Sequence, residues 1–143
     1  MIKYVAGLLF DDKGERVALV LKNRGPERLI GFWNAIGGKI EPEETIHRAM
    51  SREFLEETGV FIADWTHFLN LNTGDAYVHF FYAHDTDALK DVQSMASEKV
   101  MYWYLDEPPV MVPNLSWIIP MCKGHRNDHV EVYEVIEKEP VAA

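Results

Sequence analysis

Across its centre the chain reads Gly37-Gly38-Lys39-Ile40-Glu41-Pro42-Glu43-Glu44-Thr45-Ile46-His47-Arg48-Ala49-Met50-Ser51-Arg52-Glu53-Phe54-Leu55-Glu56-Glu57-Thr58-Gly59-Val60. Pro42 separates a glycine turn from a helical run, and Thr45 is a natural N-cap. The run to Thr58 has helical periodicity, and Gly59 supplies the C-terminal stop. At about 100° per residue, Glu53 and Glu57 point the same way as Ile46 and Met50, with Glu56 roughly a quarter-turn away. An acidic helix is in itself an ordinary solvated surface. Carboxylates on the apolar side of a helix are not. Gathering like charges there is costly unless something neutralises them, and a divalent cation is the simplest candidate.

On the N-terminal side, residues 2–10 are strand-like and 11–14 make a hairpin-type turn. Residues 17–21 form an unbroken apolar run, as in a strand buried on both faces. Residues 22–28 form a loop with three cations, Lys22, Arg24 and Arg28. It is either a solvated connection or a phosphate-contacting loop, since guanidinium forks suit phosphate oxygens. Residues 32–36 extend into Gly37-Gly38, glycines that allow close backbone approach or positive φ. On the C-terminal side, residues 60–72 are β-branched and aromatic and pair with 76–84 across a turn at 73–75. Residues 85–97 read as polar loop with room for a helical turn, and 100–105 as an aromatic strand. Residues 114–121 read as a second helix that kinks or stops at Pro120. Residues 130–136 read as a final half-exposed strand, with a solvated tail beyond. Strands around a central helix, with another helix near the C-terminus, make a mixed-sheet α/β arrangement.

A length of 143 residues suits one domain, 1–143, and 48% hydrophobic residues is a globular composition. A net charge of −9 argues against a nucleic-acid polymer as partner. Anionic small molecules can still bind if metal ions supply positive charge. Cys122 is the single cysteine, so no intramolecular disulfide is available, which favours a reducing, cytoplasmic setting. It sits in an apolar run, as a small core residue does. Asp11-Asp12 cut the apolar N-terminus short of a membrane span or signal peptide. His47, His67, His79, His84, His125 and His129 lack zinc-site spacing and read as surface or strand residues.

The central segment fits G-x(5)-E-x(7)-R-E-U-x-E-E-x-G-U, where U is bulky and apolar. Gly38, Glu44, Arg52, Glu53, Glu56, Glu57 and Gly59 take the fixed positions, Phe54 and Val60 the bulky ones. The pattern resembles the Nudix box, and the chain is similar to Nudix hydrolases of the MutT type. Phe54 departs from the aliphatic residue usual there. The resemblance implies an α/β/α sandwich, a mixed sheet between the box helix and a C-terminal helix. Glu53, Glu56 and Glu57, spaced i, i+3, i+4, can bring their oxygens to a small cluster of hard cations. Mg²⁺ is the expected ion, with Mn²⁺ the other candidate. Water made more acidic by such an ion can serve as nucleophile. The resemblance adds the Gly37 carbonyl as a metal ligand. It assigns Arg52 and Glu44 to bracing the loop and helix around the catalytic glutamates.

The flanks bear on the substrate. Trp33-Asn34-Ala35-Ile36-Gly37-Gly38-Lys39 resembles the matching segment of MutT-type enzymes, including those that hydrolyse oxidised purine nucleoside triphosphates. Glu98, five residues before Trp103, is either loop decoration or, by resemblance, an extra metal ligand or general base. Asn114 stands where the family places a base-reading Asn or Asp. Its amide offers a donor and an acceptor, and it also suits an N-cap. Asn34 is a second polar candidate. Phe32, Phe80, Trp117 and Tyr77 are candidate stacking walls, and Lys39 and Arg24 candidate phosphate holders. The expected reaction is attack of water on the β-phosphorus of a nucleoside triphosphate, giving a monophosphate and pyrophosphate. Glu98 or a box glutamate takes the proton. Oxidised purines such as 8-oxo-dGTP come first as substrates, then dNTPs generally. The alternatives are another nucleoside diphosphate derivative, such as a nucleotide sugar or dinucleoside polyphosphate, and a non-catalytic nucleotide-sensing module. The expected partner is a small-molecule nucleotide, without a membrane, for a monomer or homodimer.

Overall fold

Alternation along the first strand, β1 (Ile2–Phe10), sends Val5 and Leu9 to one side of a sheet and Leu8 and Phe10 to the other. The structure, a computed structural model, describes residues 1–128 and 131–138. After β1 come β2 (Arg16–Leu21), a 3₁₀ turn (Glu27–Leu29), β3 (Trp33–Asn34), β4 (Ile36–Lys39) and α1 (Ile46–Thr58). The chain continues through β5 (Thr66–Asn72), β6 (Ala76–His84), α2 (Thr86–Lys90), β7 (Lys99–Tyr104), α3 (Leu115–Asp128) and β8 (Tyr133–Ile136). The sheet runs β3-β2-β1-β6-β5-β8, with β4 on β1 and β7 on β2. β1–β6 and β5–β8 are parallel and the remaining pairs antiparallel, so the sheet is mixed.

Each face of the sheet carries its own core. Val5, Leu9, Ala18, Val20, Ile36 and Phe81 pack with Met50 and Phe54 of α1. Leu8, Phe10, Val17, Leu19, Phe80 and Tyr82 pack with Leu115, Ile118 and Cys122 of α3. The product is the expected α/β/α sandwich. The apolar run of β2 is divided between the two cores, which explains its lack of alternation. Full burial of one such side chain contributes about 1.5–3 kcal/mol. Phe54 is fully buried and meets Trp65 edge-on at 5.1 Å, so the aromatic in the central motif fills space instead of disturbing the helix.

Three sequence expectations need correction. Residues 60–65 are not strand; β5 begins at Thr66. Ile62 and Trp65 still drop into the α1-side core, and the Ile62 carbonyl accepts from Ser51 Oγ at 2.7 Å. The helical turn allowed for within residues 85–97 is present as α2, capped by Asp85 and anchored by fully buried Leu89. α3 continues through Pro120 to Asp128. Leu115, Ile118, Cys122 and His125 form one buried stripe across the proline, which faces solvent, and packing on both sides offsets its missing N–H. Finally, His125 is buried, hydrogen-bonded through Nδ1 to Tyr82 Oη at 3.0 Å. His129, Val130 and residues 139–143 lie outside the described residues.

Candidate active site

α1 begins on Thr45, whose side chain accepts from the Arg48 N–H, and ends on Gly59 at φ 77°. Between these caps the apolar stripe of Met50 and Phe54 continues into Glu57, which is 9% exposed. Glu53 is largely covered and Glu56 exposed. Beneath Glu53 runs β4. Neither Gly37 nor Gly38 uses positive φ; close approach is their reason. A Cβ on Gly37 would collide with the Val5 carbonyl, and one on Gly38 would sit 2.5 Å from the Glu53 carboxylate. The glycine pair therefore lays bare backbone against the acidic end of the helix.

Arg52 organises the near side. Its Nε and Nη2 donate to both oxygens of Glu44, at 2.6 and 2.9 Å. Its Nη2 also donates to the Lys39 carbonyl at 3.1 Å, and its Nη1 to Glu53 Oε1 at 2.9 Å and, more weakly, to Glu56. The fork thus joins β4, the loop before α1 and α1 itself. It holds the Glu44 carboxyl below the usual carboxylate range.

Glu98 closes the far side. It is 3% exposed, with Lys22 Nζ on Oε1 at 3.0 Å and the Asn23 N–H on Oε2 at 2.7 Å. Its loop is tied to α1 by Gln93 N–H on the Thr58 carbonyl and Met95 N–H on the Glu57 carbonyl. Glu57 Oε2 is buried without a hydrogen-bond partner. Burial, then repulsion from Glu98 and Glu53, pushes the Glu57 carboxyl above its ordinary range; Arg24 and Lys22 pull it back. Burial likewise raises Glu53, against the pull of Arg52. Among the described residues, no three His, Cys, Asp or Glu side chains are gathered as a ready metal cage. Like charges stay apart, and Arg52 and Lys22 hold Glu53 and Glu98. The donors nonetheless fit a hard divalent cation: all are oxygens, and one buried carboxylate oxygen, Glu57 Oε2, has no hydrogen-bond partner.

A second group lies by the start of α3. Trp33 N–H donates to the Val110 carbonyl and Val112 N–H to the Trp33 carbonyl. This bridge ties the lead-in to α3 onto β3, bringing Asn114 to the same end of the sheet as Asn34. Asn114 Oδ1 is buried and unpartnered, so its acceptor is not spent as an N-cap. Asn34 Oδ1 accepts from the Ala35 N–H at 2.8 Å. Phe32 and Trp117 are partly buried against the α3-side core, whereas Phe80, 5% exposed, belongs within it. Tyr77 is on the other face, donating to Glu134 Oε2 at 2.9 Å beside His79, and so is separated from this group. Arg24 and Lys39 are exposed. Lys22 and Asn23 stood in the sequence only as part of a cationic loop. Their partner lies over seventy positions away, and no local spacing announces it.

Comparison with known proteins agrees with this geometry. The family model described as NUDIX domain matches residues 2–134. The chain belongs to the NUDIX domain family. An oxidized purine nucleoside triphosphate hydrolase from Danio rerio is 47% identical over 47 residues, 33% of this chain and 29% of that protein. The mouse protein of the same name is 44% identical over 48 residues, 34% of this chain and 30% of its own length. The matched part thus spans less than a third of these curated relatives. A MutT protein from Bacillus halodurans superposes with TM-score 0.70 at 21% identity, covering 99% of this chain and 95% of its own. An ADP-ribose pyrophosphatase from Streptococcus suis gives 0.72 at 15%, covering 95% and 98%. At such identities these structures establish the fold alone.

Proposed function

We propose that the chain hydrolyses nucleoside triphosphates to a monophosphate and pyrophosphate, with oxidised purine nucleotides such as 8-oxo-dGTP first among its substrates. The observation that carries the proposal is Glu57, buried beside Glu53 and Glu98 with an unpartnered carboxylate oxygen. Glu53, Glu56, Glu57, Glu98 and the Gly37 carbonyl are the donors for a divalent cation, Mg²⁺ or Mn²⁺. When bound, that ion makes water more acidic and neutralises phosphate oxygens. The chain supplies the rest. Arg52 fixes Glu53 and β4 relative to one another. Glu98, anchored in its loop, or one of the α1 glutamates takes the proton of the attacking water at a carboxylate oxygen. Lys39 and Arg24 hold the phosphates. Asn114 and Asn34 meet the base edge, with Trp117 and Phe32 beside it and Phe80 supporting from the core. The curated names of the partial-length relatives favour oxidised purines over other bases. The single cysteine, Cys122, favours a reducing, cytoplasmic setting. Among the described residues no helix is long and apolar enough to cross a membrane.

A substrate panel tests the proposal. Normal and oxidised nucleoside triphosphates, a nucleotide sugar and a dinucleoside polyphosphate are incubated with Mg²⁺, and pyrophosphate and phosphate release are followed separately. Pyrophosphate from a triphosphate is expected. Turnover confined to the sugar or dinucleoside substrates would reject it.

A further inference from the structure

Glu98 is the most deeply buried carboxylate of the site, and both its oxygens are already engaged. Asn23 N–H holds Oε2 at 2.7 Å and Lys22 Nζ holds Oε1 at 3.0 Å. The two contacts differ in kind. The Asn23 contact is backbone, and Asn23 Nδ2 also donates to the Ser97 carbonyl at 3.1 Å, next to Glu98 in the chain. With Met95 and Gln93 tied to α1, the Glu98 loop is fixed from both sides. Lys22 has a flexible four-carbon stem, and its side chain is 23% exposed against 3% for Glu98. If the pair separates, the ammonium is the partner that can move into water.

A buried carboxylate needs a counter-charge. Glu98 obtains one from Lys22, and Glu53 obtains one from Arg52. The arginine and lysine contacts are not equivalent. Arg52 is also locked bidentately on Glu44 and on a backbone carbonyl, whereas Lys22 is held through Glu98. Lys22 is therefore the cation that a divalent ion can replace at least cost.

Resting on the hydrolase reading for the presence of that ion, we propose that Lys22 is a displaceable counter-ion. Its ammonium neutralises Glu98 Oε1 until a divalent cation takes that oxygen, and Lys22 thereby competes with metal binding. Asn23 N–H keeps Oε2 throughout, so the carboxylate stays in place while its counter-charge changes.

The test is Mn²⁺ binding without nucleotide, by the paramagnetic signal of free and bound ion, for the wild type, K22M, E98Q and the double variant. K22M is expected to bind Mn²⁺ roughly three- to tenfold more tightly, the scale of one unit charge removed near a partly solvated site. The gain should fall sharply in the E98Q background, leaving only the weaker pull of Lys22 on Glu57. Unchanged or weaker binding by K22M, or a gain of undiminished size without the Glu98 charge, would overturn the inference. Thermal melts check that each variant is folded, and Lys22→Gln replaces K22M if the methionine variant is not. No turnover enters this measurement. Absence of triphosphate hydrolysis would remove the functional reading and leave the Mn²⁺ result standing. Unaltered Mn²⁺ affinity in K22M would remove the counter-ion role and leave hydrolysis standing.

Discussion

Glu57 carries the cost of the site in one side chain. Its carboxyl titrates above the ordinary range because burial and two neighbouring carboxylates oppose its charge. A carboxyl raised on folding contributes stability below its unfolded pKa and loses that contribution as pH rises through the folded value. At neutral pH the ionised form is therefore a burden on the fold. Glu57→Gln should raise the melting temperature at pH 7 while lowering turnover by about 10²-fold or more. Adding Mg²⁺ should raise the melting temperature of the wild type and have little effect on the variant; differential calorimetry reads both. The adjacent glycines make a contrasting pair. Gly37→Ala drives a Cβ into the Val5 backbone and should cost about 3 kcal/mol or more in denaturant unfolding. Gly38→Ala meets the flexible end of Glu53. It should fold with a loss of about 1 kcal/mol or less, yet lose roughly 10²-fold in turnover as Glu53 is moved.

The same contrast holds among elements. α1 was legible in the sequence because its caps, stripe and charges follow one local period. The Gly38-to-Gly59 spacing also gave Arg52 and the three glutamates their places. α3 was legible at its start and misread at its end, because the penalty at Pro120 is local while the stripe that outweighs it runs from Leu115 to His125. Residues 60–65 have strand composition, yet Ile62 and Trp65 fill the core as a loop. Composition reports burial there, not ladder pairing. The role of Lys22 was illegible for a different reason, since its partner is set by the pairing of β2 with β7. For α3, Ile118→Ala should cost about 2–4 kcal/mol by urea unfolding. Pro120→Ala should be neutral or stabilising, because it restores an N–H and helix propensity on an exposed face; a clear loss of stability would show that the proline shapes the helix.

For the whole molecule, the two cores leave the carboxylates of the candidate site beside β4 and place a different titrating group elsewhere. His84, at the end of β6, stacks on Phe10 at 5.2 Å. Burial, then the Arg126 charge, lowers its pKa from 6.5 to about 4. A depressed histidine favours the fold above its unfolded pKa, and the contribution is lost as pH falls from 6.5 toward about 4. Allowing for solvent screening of a half-covered ring, the loss is on the order of 1–2 kcal/mol. His84→Phe should flatten melting temperature against pH across that window, without altering the site at the other carboxylates.

On the proposed reading, the Glu53, Glu56, Glu57 and Glu98 carboxylates, with bare β4 backbone beside them, form a cation-dependent triphosphate hydrolase. The deciding measurement is pyrophosphate release from 8-oxo-dGTP and dGTP, with Mg²⁺ and with chelator, in wild type and Glu57→Gln. The wild type should release pyrophosphate in an Mg²⁺-dependent manner, abolished by chelator and cut about 10²-fold or more by the substitution. Equal turnover in the folded Glu57→Gln variant, or no pyrophosphate from either triphosphate, would contradict it.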